Sequence, residues 1–194
     1  MFDCFARFDL ERRPFLEPEV VKEAFQARAA AAHPDGCGTT REIAEFAGVE
    51  LAFRTLRDPK LRLQHLLDLE FPGARSSAAA TVPADVAGMF TPASALAGQV
   101  DVFLGRRNAA GSAVARALLA GEQLALRGEV EGWLETLRRR EALLLEELRA
   151  ADKYWTLAGE RDAAKVLRLH QSFAFLTRWI DQARERLFAL SASA

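Results

Sequence analysis

Apolar residues along this chain recur at steps of three and four rather than two, the spacing of one face of an α-helix. Sustained alternation of β-branched and aromatic residues is scarce, so the pattern predicts an all-α fold. Val21, Ala24, Phe25, Ala29 and Ala32 fall on one face of a helix that should begin near Glu19. That helix must stop at Ala32 or His33, because Pro34 disfavours helical geometry in the residue before it. Gly36 and Gly38 continue the loop, and Thr39 with Glu42 has the capping-box spacing that marks the next start. Phe46, Val49, Ala52, Phe53 and Leu56 form a second stripe, which Pro59 ends; Leu63, Leu66 and Leu67 are the inward positions of a third. Two antiparallel helices joined by a short polar loop can bury such stripes against each other.

A break follows at Phe71–Ala84, where Pro72, Gly73 and Pro83 bracket small residues as a linker does. The expected organisation is an N-terminal domain at 1–72, a linker at 73–84 and an antiparallel three-helix bundle at 85–194. Val166, Leu169, Phe173, Leu176, Ile180, Ala183, Leu187 and Leu190 alternate steps of three and four without a miss, a seam for packing on neighbouring helices. Val130, Leu134, Leu137, Leu144, Leu148 and Ala151 supply another helix. A segment from about Asp85 to Arg107 supplies the first, with Pro92 expected to kink or start it. Breaks near 108–111 and 157–160 let the three run antiparallel.

Composition changes this picture little. The chain has 194 residues, with 26 Lys and Arg against 27 Asp and Glu, so no domain-wide basic field is available to a nucleic-acid backbone. No apolar run approaches the roughly 20 residues that span a bilayer. The start MFDCFARFDLERR lacks the pattern of a secretion signal. The expectation is a soluble cytoplasmic protein with no membrane or nucleic-acid partner. Cys4 and Cys37 cannot alone build a disulfide framework or a four-thiolate site. His33, His65 and His170 have no metal-ligand spacing, so neither metal nor cofactor is expected. Arg138, Arg139 and Arg140 precede Glu141, Glu146 and Glu147 and read as a solvated helix face. No nucleophile, base and orienting acid stand in suggestive places, so an enzyme is not expected.

The sharpest feature is His33-Pro34-Asp35, between the first two amphipathic helices. Pro followed by Asp and Gly is ordinary turn chemistry. Its placement, with a helix ending at His33 and another ending in Leu56-Arg57-Asp58-Pro59, resembles the J-domain family from about Phe2 to Leu69. Phe25-Gln26, eight residues before His33, and the run from Val49 to Pro59 extend the likeness. Leu61-Arg62-Leu63-Gln64-His65-Leu66-Leu67 is similar to the HscB-type branch, in which a client-carrying three-helix bundle follows the J-domain. The resemblance implies a co-chaperone that docks on a DnaK-type ATPase and stimulates its hydrolysis of ATP. His33, Pro34 and Asp35 would make the contact, with Lys22 as a basic contact on the preceding helix.

Two departures stand beside the likeness. The stretch Ala27-Arg28-Ala29-Ala30-Ala31-Ala32 carries one arginine where the family presents several cations, and Arg28 occupies a position expected to be apolar. For the bundle, the resemblance implies the iron–sulfur assembly scaffold as client. Met89, Phe90 and Leu96 are the client-binding candidates, although the glutamates that accompany the family's patch are missing. Phe175 and Trp179, four apart and off the main seam, form a second stripe expected to be core. The rival reading is an adaptor or self-associating helical protein with a degenerate J-domain.

Overall fold

The structure, a computed structural model, describes residues 2–32, 40–77, 82–157 and 161–191. Among these there are helices and no strands, as the periodicity requires. Chain contacts divide the protein into two compact units, 1–81 with 145–173, and 82–144 with 174–194. This grouping cuts across the 85–194 span that the sequence suggested as one bundle. The reason is helix length. A helix of about 20 residues already spans a small domain, and the two longest helices of this chain, described below, are longer and serve both units.

In the N-terminal unit, α1 is a single turn, Cys4–Arg7, whose N-cap Asp3 accepts from the Phe5 and Ala6 N–H groups. The helices α2 (Pro18–Ala32) and α3 (Thr40–Arg57) follow and pack on each other. Phe25 stacks on Phe53 with ring centroids 4.3 Å apart, and that contact fixes their direction. At about 1.5 Å per residue, Phe25 lies about 10 Å from the end of α2 and Phe53 about 20 Å from the start of α3. Parallel helices would demand that residues 33–39 cross about 30 Å, the full reach of an extended chain of that length. The pair is therefore antiparallel. Val21, Val49, Ala52 and Leu56 are fully buried within it.

Pro59 ends α3 and also starts α4 (Pro59–Glu70) at its first position, where a missing N–H costs nothing. Asp58 caps it by accepting from the Leu61 N–H at 3.1 Å. Leu63, Leu66 and Leu67 are fully buried, as their spacing predicted, and Arg62 is buried beside them at 3% exposure, a placement that spacing did not predict. Its guanidinium donates to Pro14 O at 2.8 Å and Leu56 O at 2.6 Å, and burial pulls it down to about 10. The span 73–84 contains the single-turn α5 (Ala74–Ser77), after a turn with Gly73 at φ 89°.

The segment at 145–173 completes this unit. Asp152, 3% exposed, accepts from the Arg13 guanidinium and from the Phe15 N–H at 3.1 Å. That hydrogen bond raises the Arg13 guanidinium above its ordinary value. Trp155 Nε1 donates to Arg12 O at 2.9 Å, and its ring meets Phe71 edge to face. The His170 Nδ1 lies 3.1 Å from Lys60 O.

In the C-terminal unit the expected helix from 85 to 107 is two: α6 (Ala84–Ala87) and α7 (Phe90–Ala109). Pro92 is the cause. Inside one continuous helix its ring would collide with the Gly88 carbonyl, whereas in the first turn of α7 it is tolerated. The short α8 (Ala113–Leu118), capped by Ser112, leads to α9 (Ala120–Leu157), and α10 spans Ala163–Ser191. Asp85 pairs with Arg140, Arg106 with Glu122, Trp133 meets Trp179, and Gln123 bonds Leu190 O. These cross-links run in opposite residue order, so α9 is antiparallel to α10 and to the α6–α7 segment taken together. Val100, Phe103, Val130, Leu134, Leu137, Leu176, Ile180 and Leu190 are buried between them.

Candidate functional site

The two packed helices α2 and α3 form the scaffold of the candidate docking surface. His33, Pro34, Asp35 and also Cys37 and Thr39 lie outside the described residues. On α2, Val21 faces inward and Phe25 is half-buried, while Glu19, Lys22, Glu23, Gln26, Ala27 and Arg28 are exposed. Lys22 thus lies at the surface, but its ammonium is 3.0 Å from the Glu19 carboxylate one turn away. Arg28, at the position where an apolar residue was expected, turns outward and pairs with Asp9. Both cations of α2 therefore have carboxylate partners, each an exposed pair of the kind that contributes about 0–1 kcal/mol.

Positive charge on this scaffold is found instead on α3. Arg54 and Arg57, one turn apart, line an open groove of about 580 Å³ together with Phe25, Leu51, Phe53 and Glu50. The Arg57 guanidinium sits 5.4 Å from the Phe53 ring centroid, and among the described residues neither arginine is ion-paired with a carboxylate. Leu51 is 41% exposed at the rim. The groove combines stacked aromatic rings, an aliphatic edge and two guanidinium groups, which suits an apolar side chain with a neighbouring carboxylate. Sequence reasoning missed it because cations were sought on α2. The signal was present, since Arg54 and Arg57 share a face with Leu51 at steps of three.

Behind this surface, α1 packs on the opposite side of α3. The Phe2 ring lies 3.6 Å from where a Cβ on Gly48 would be, and Arg7 donates to Glu45 O at 3.2 Å. His65 on α4 stacks on Phe5, and its Nε2 accepts from the Cys4 N–H at 3.0 Å. Burial holds the His65 imidazole below its ordinary value, against the pull of Asp3 and Asp68. Cys4 is buried, and burial pushes its thiol up. That makes it a poor nucleophile.

The client-binding candidates lie in the other unit. Met89 and Leu96 are half-buried and Phe90 is 38% exposed. Phe90 meets the Phe175 and Trp179 rings edge to face at 5.2 and 4.9 Å, so it is the outer member of an aromatic cluster whose floor, Trp179, is buried. Among the described residues no group of three or more His, Cys, Asp or Glu could hold a metal ion. No helix among them is long and apolar enough to cross a membrane.

No family model matches this chain. No curated protein matches it either. Among solved structures it is similar to the chaperone HscB from Vibrio cholerae, at 20% identity over 95% of this chain and 99% of that chain, with a TM-score of 0.46.

Proposed function

We propose that the protein is a J-domain co-chaperone that docks on a DnaK-type ATPase through His33, Pro34 and Asp35, stimulates ATP hydrolysis and presents a client held by its C-terminal unit. The observation that carries this reading is the antiparallel packing of α2 on α3, with Phe25 on Phe53. In sequence, the residues that join those two helices include His-Pro-Asp. A proline-fixed carboxylate next to an imidazole is well suited to pairing with an arginine across an interface. With Lys22 and Arg28 both engaged, Arg54 and Arg57 supply the positive charge that meets an acidic chaperone surface. The client is the iron–sulfur assembly scaffold that the sequence resemblance implies, held on the side of α7 that carries Met89, Phe90 and Leu96.

Steady-state ATP hydrolysis by the DnaK-type chaperone of the same organism tests the proposal. The wild-type chain is expected to stimulate it, and His33→Gln to abolish the stimulation. Reversal of Arg54 and Arg57 to Glu is expected to weaken stimulation about tenfold at limiting concentration, an effect that fades with added salt. Equal stimulation by wild type and His33→Gln would sink the reading.

A further inference from the structure

Most arginines of the N-terminal unit are matched to a carboxylate. Arg7 meets Glu45, Arg12 meets Asp3 and Glu70, Arg13 meets Asp152, Arg28 meets Asp9, Arg75 meets Asp68 and Arg161 meets Glu70. The groove on α3 departs from this habit. Glu50, Arg54 and Arg57 all line it and all are exposed, yet among the described residues none of the three is in an ion pair. Glu50 stands four residues before Arg54, the spacing and order in which an acid and a base on one helix meet most favourably, and still no ion pair joins them. The face is a single one. Ala47, Glu50 or Leu51, Arg54 and Arg57 recur at three and four residues along one side of α3, and all line the same groove.

We propose that this face takes a segment of mixed charge on the docked chaperone: a carboxylate for Arg54 and Arg57, a cation for Glu50, and an apolar side chain laid over Leu51 and the Phe25 and Phe53 rings. The inference rests on the docking reading and deepens it. A uniformly acidic surface satisfies the two arginines but drives a carboxylate against Glu50, whereas a segment carrying both signs leaves none of the three charges unmatched. Charge complementarity therefore selects the occupant. At about 1.5 Å per residue, Glu50 lies about 6 Å along the helix from Arg54 and about 10 Å from Arg57. The acid and the base of the occupant stand the same distance apart, one to two turns of a helix or two to three residues of a strand. Arg57, 5.4 Å from the Phe53 ring centroid, keeps its planar fork for a carboxylate while its face rests on the ring. Glu50 is thus the specificity-determining residue of the groove, since it repels partners that offer only acids.

The sign of one substitution is the test. Against a purely acidic surface, Glu50→Gln removes a repulsion and tightens docking. Against a mixed segment it removes a partner and weakens docking. Titration of the full chain into the DnaK-type chaperone, followed by steady-state ATP hydrolysis, separates the two. Glu50→Gln is expected to raise the concentration for half-maximal stimulation about three- to tenfold while leaving the plateau unchanged, and Glu50→Lys to raise it further. Because Glu50 is exposed and outside any ion pair among the described residues, the melting curve of Glu50→Gln is expected to match that of the wild type. Glu129→Gln, at an exposed acid on α9, is expected to leave the titration unchanged. Tighter or unaltered docking by Glu50→Gln, in a chain whose stimulation His33→Gln abolishes, would overturn this inference alone. So would equal weakening by Glu129→Gln, since a general effect of net charge then suffices. Stimulation absent from the wild type, or untouched by His33→Gln, removes the docking reading and this inference with it.

Discussion

At the scale of single residues, Arg62 illustrates how the fold uses a charge where spacing alone suggests solvent. Set in Leu61-Arg62-Leu63, it looks like an ordinary outward position of an amphipathic helix. Nothing local reveals that it is 3% exposed. Its burial depends on two carbonyls brought in from elsewhere, Pro14 O from the segment before α2 and Leu56 O from the last turn of α3. The latter is one of the carbonyls a helix C-terminus leaves without an internal partner. Arg62→Met would keep the volume and remove the desolvated charge, but would leave both carbonyls without their donor. The expected result is a loss of about 2–4 kcal/mol, measured as a lowered urea midpoint with unchanged slope. A neutral outcome would mean that relief from burying the charge offsets both lost bonds.

At the scale of elements, much of the architecture was legible and the reasons are specific. Pro59 bounds α3 because proline restricts the residue before it, and the stripes of α3, α4, α9 and α10 are buried at nearly every predicted position. The division of the first bundle helix at Gly88 was not legible as a break, since either a kink or a start at Pro92 satisfied the sequence. Of the proposed docking site, the sequence supplied the His-Pro-Asp motif, which lies outside the described residues, and Lys22. It did not supply the Arg54–Arg57 groove, which exists only once α2 places Phe25 on Phe53. The short α1 shows another long-range dependence. Its first N–H, that of Cys4, is accepted by His65 Nε2, sixty-one residues away. His65 faces Asp3, Asp68 and Arg12, and burial outweighs the two carboxylates in holding it below its ordinary value. With the folded imidazole harder to protonate than the unfolded one, falling pH favours the unfolded chain. The stability present above about pH 6.5 is therefore lost as pH drops below it. His170, also depressed by burial, acts with the same sign. The wild-type Tm is expected to fall by about 2–4 °C between about pH 7.5 and 5.5. His65→Gln, whose amide oxygen can accept the same Cys4 N–H, is expected to fall less. Identical pH profiles, followed by circular dichroism, would remove His65 from the account.

At the scale of the whole molecule, the N-terminal unit is not contiguous in sequence. Asp152 and Trp155 complete the surroundings of Arg12, Arg13 and Phe15 from more than 130 residues away. Periodicity is a local property and carries no record of such pairings, which is why a boundary at 73–84 was the natural expectation. A fragment ending at residue 81 leaves the Phe15 N–H and the Arg12 carbonyl without their partners and exposes the faces of α4 and Phe71 that the later helices cover. Its expected behaviour is a broad, early thermal transition by circular dichroism, at least about 10 °C below that of the full chain. Addition of a peptide corresponding to 145–173 is expected to raise and sharpen it by mass action. A fragment as stable as the whole would show the later helices to be dispensable there.

The same discontinuity sets a schedule for biosynthesis. Residues 1–81 leave the ribosome long before 145–173 do, and at about 5–20 residues per second the interval is roughly 5–20 s. During that wait the nascent hairpin travels with its carboxylate-seeking Arg13 unmatched and its apolar flank uncovered. A protein proposed to serve chaperones thus emerges, for those seconds, as a segment that itself invites their attention.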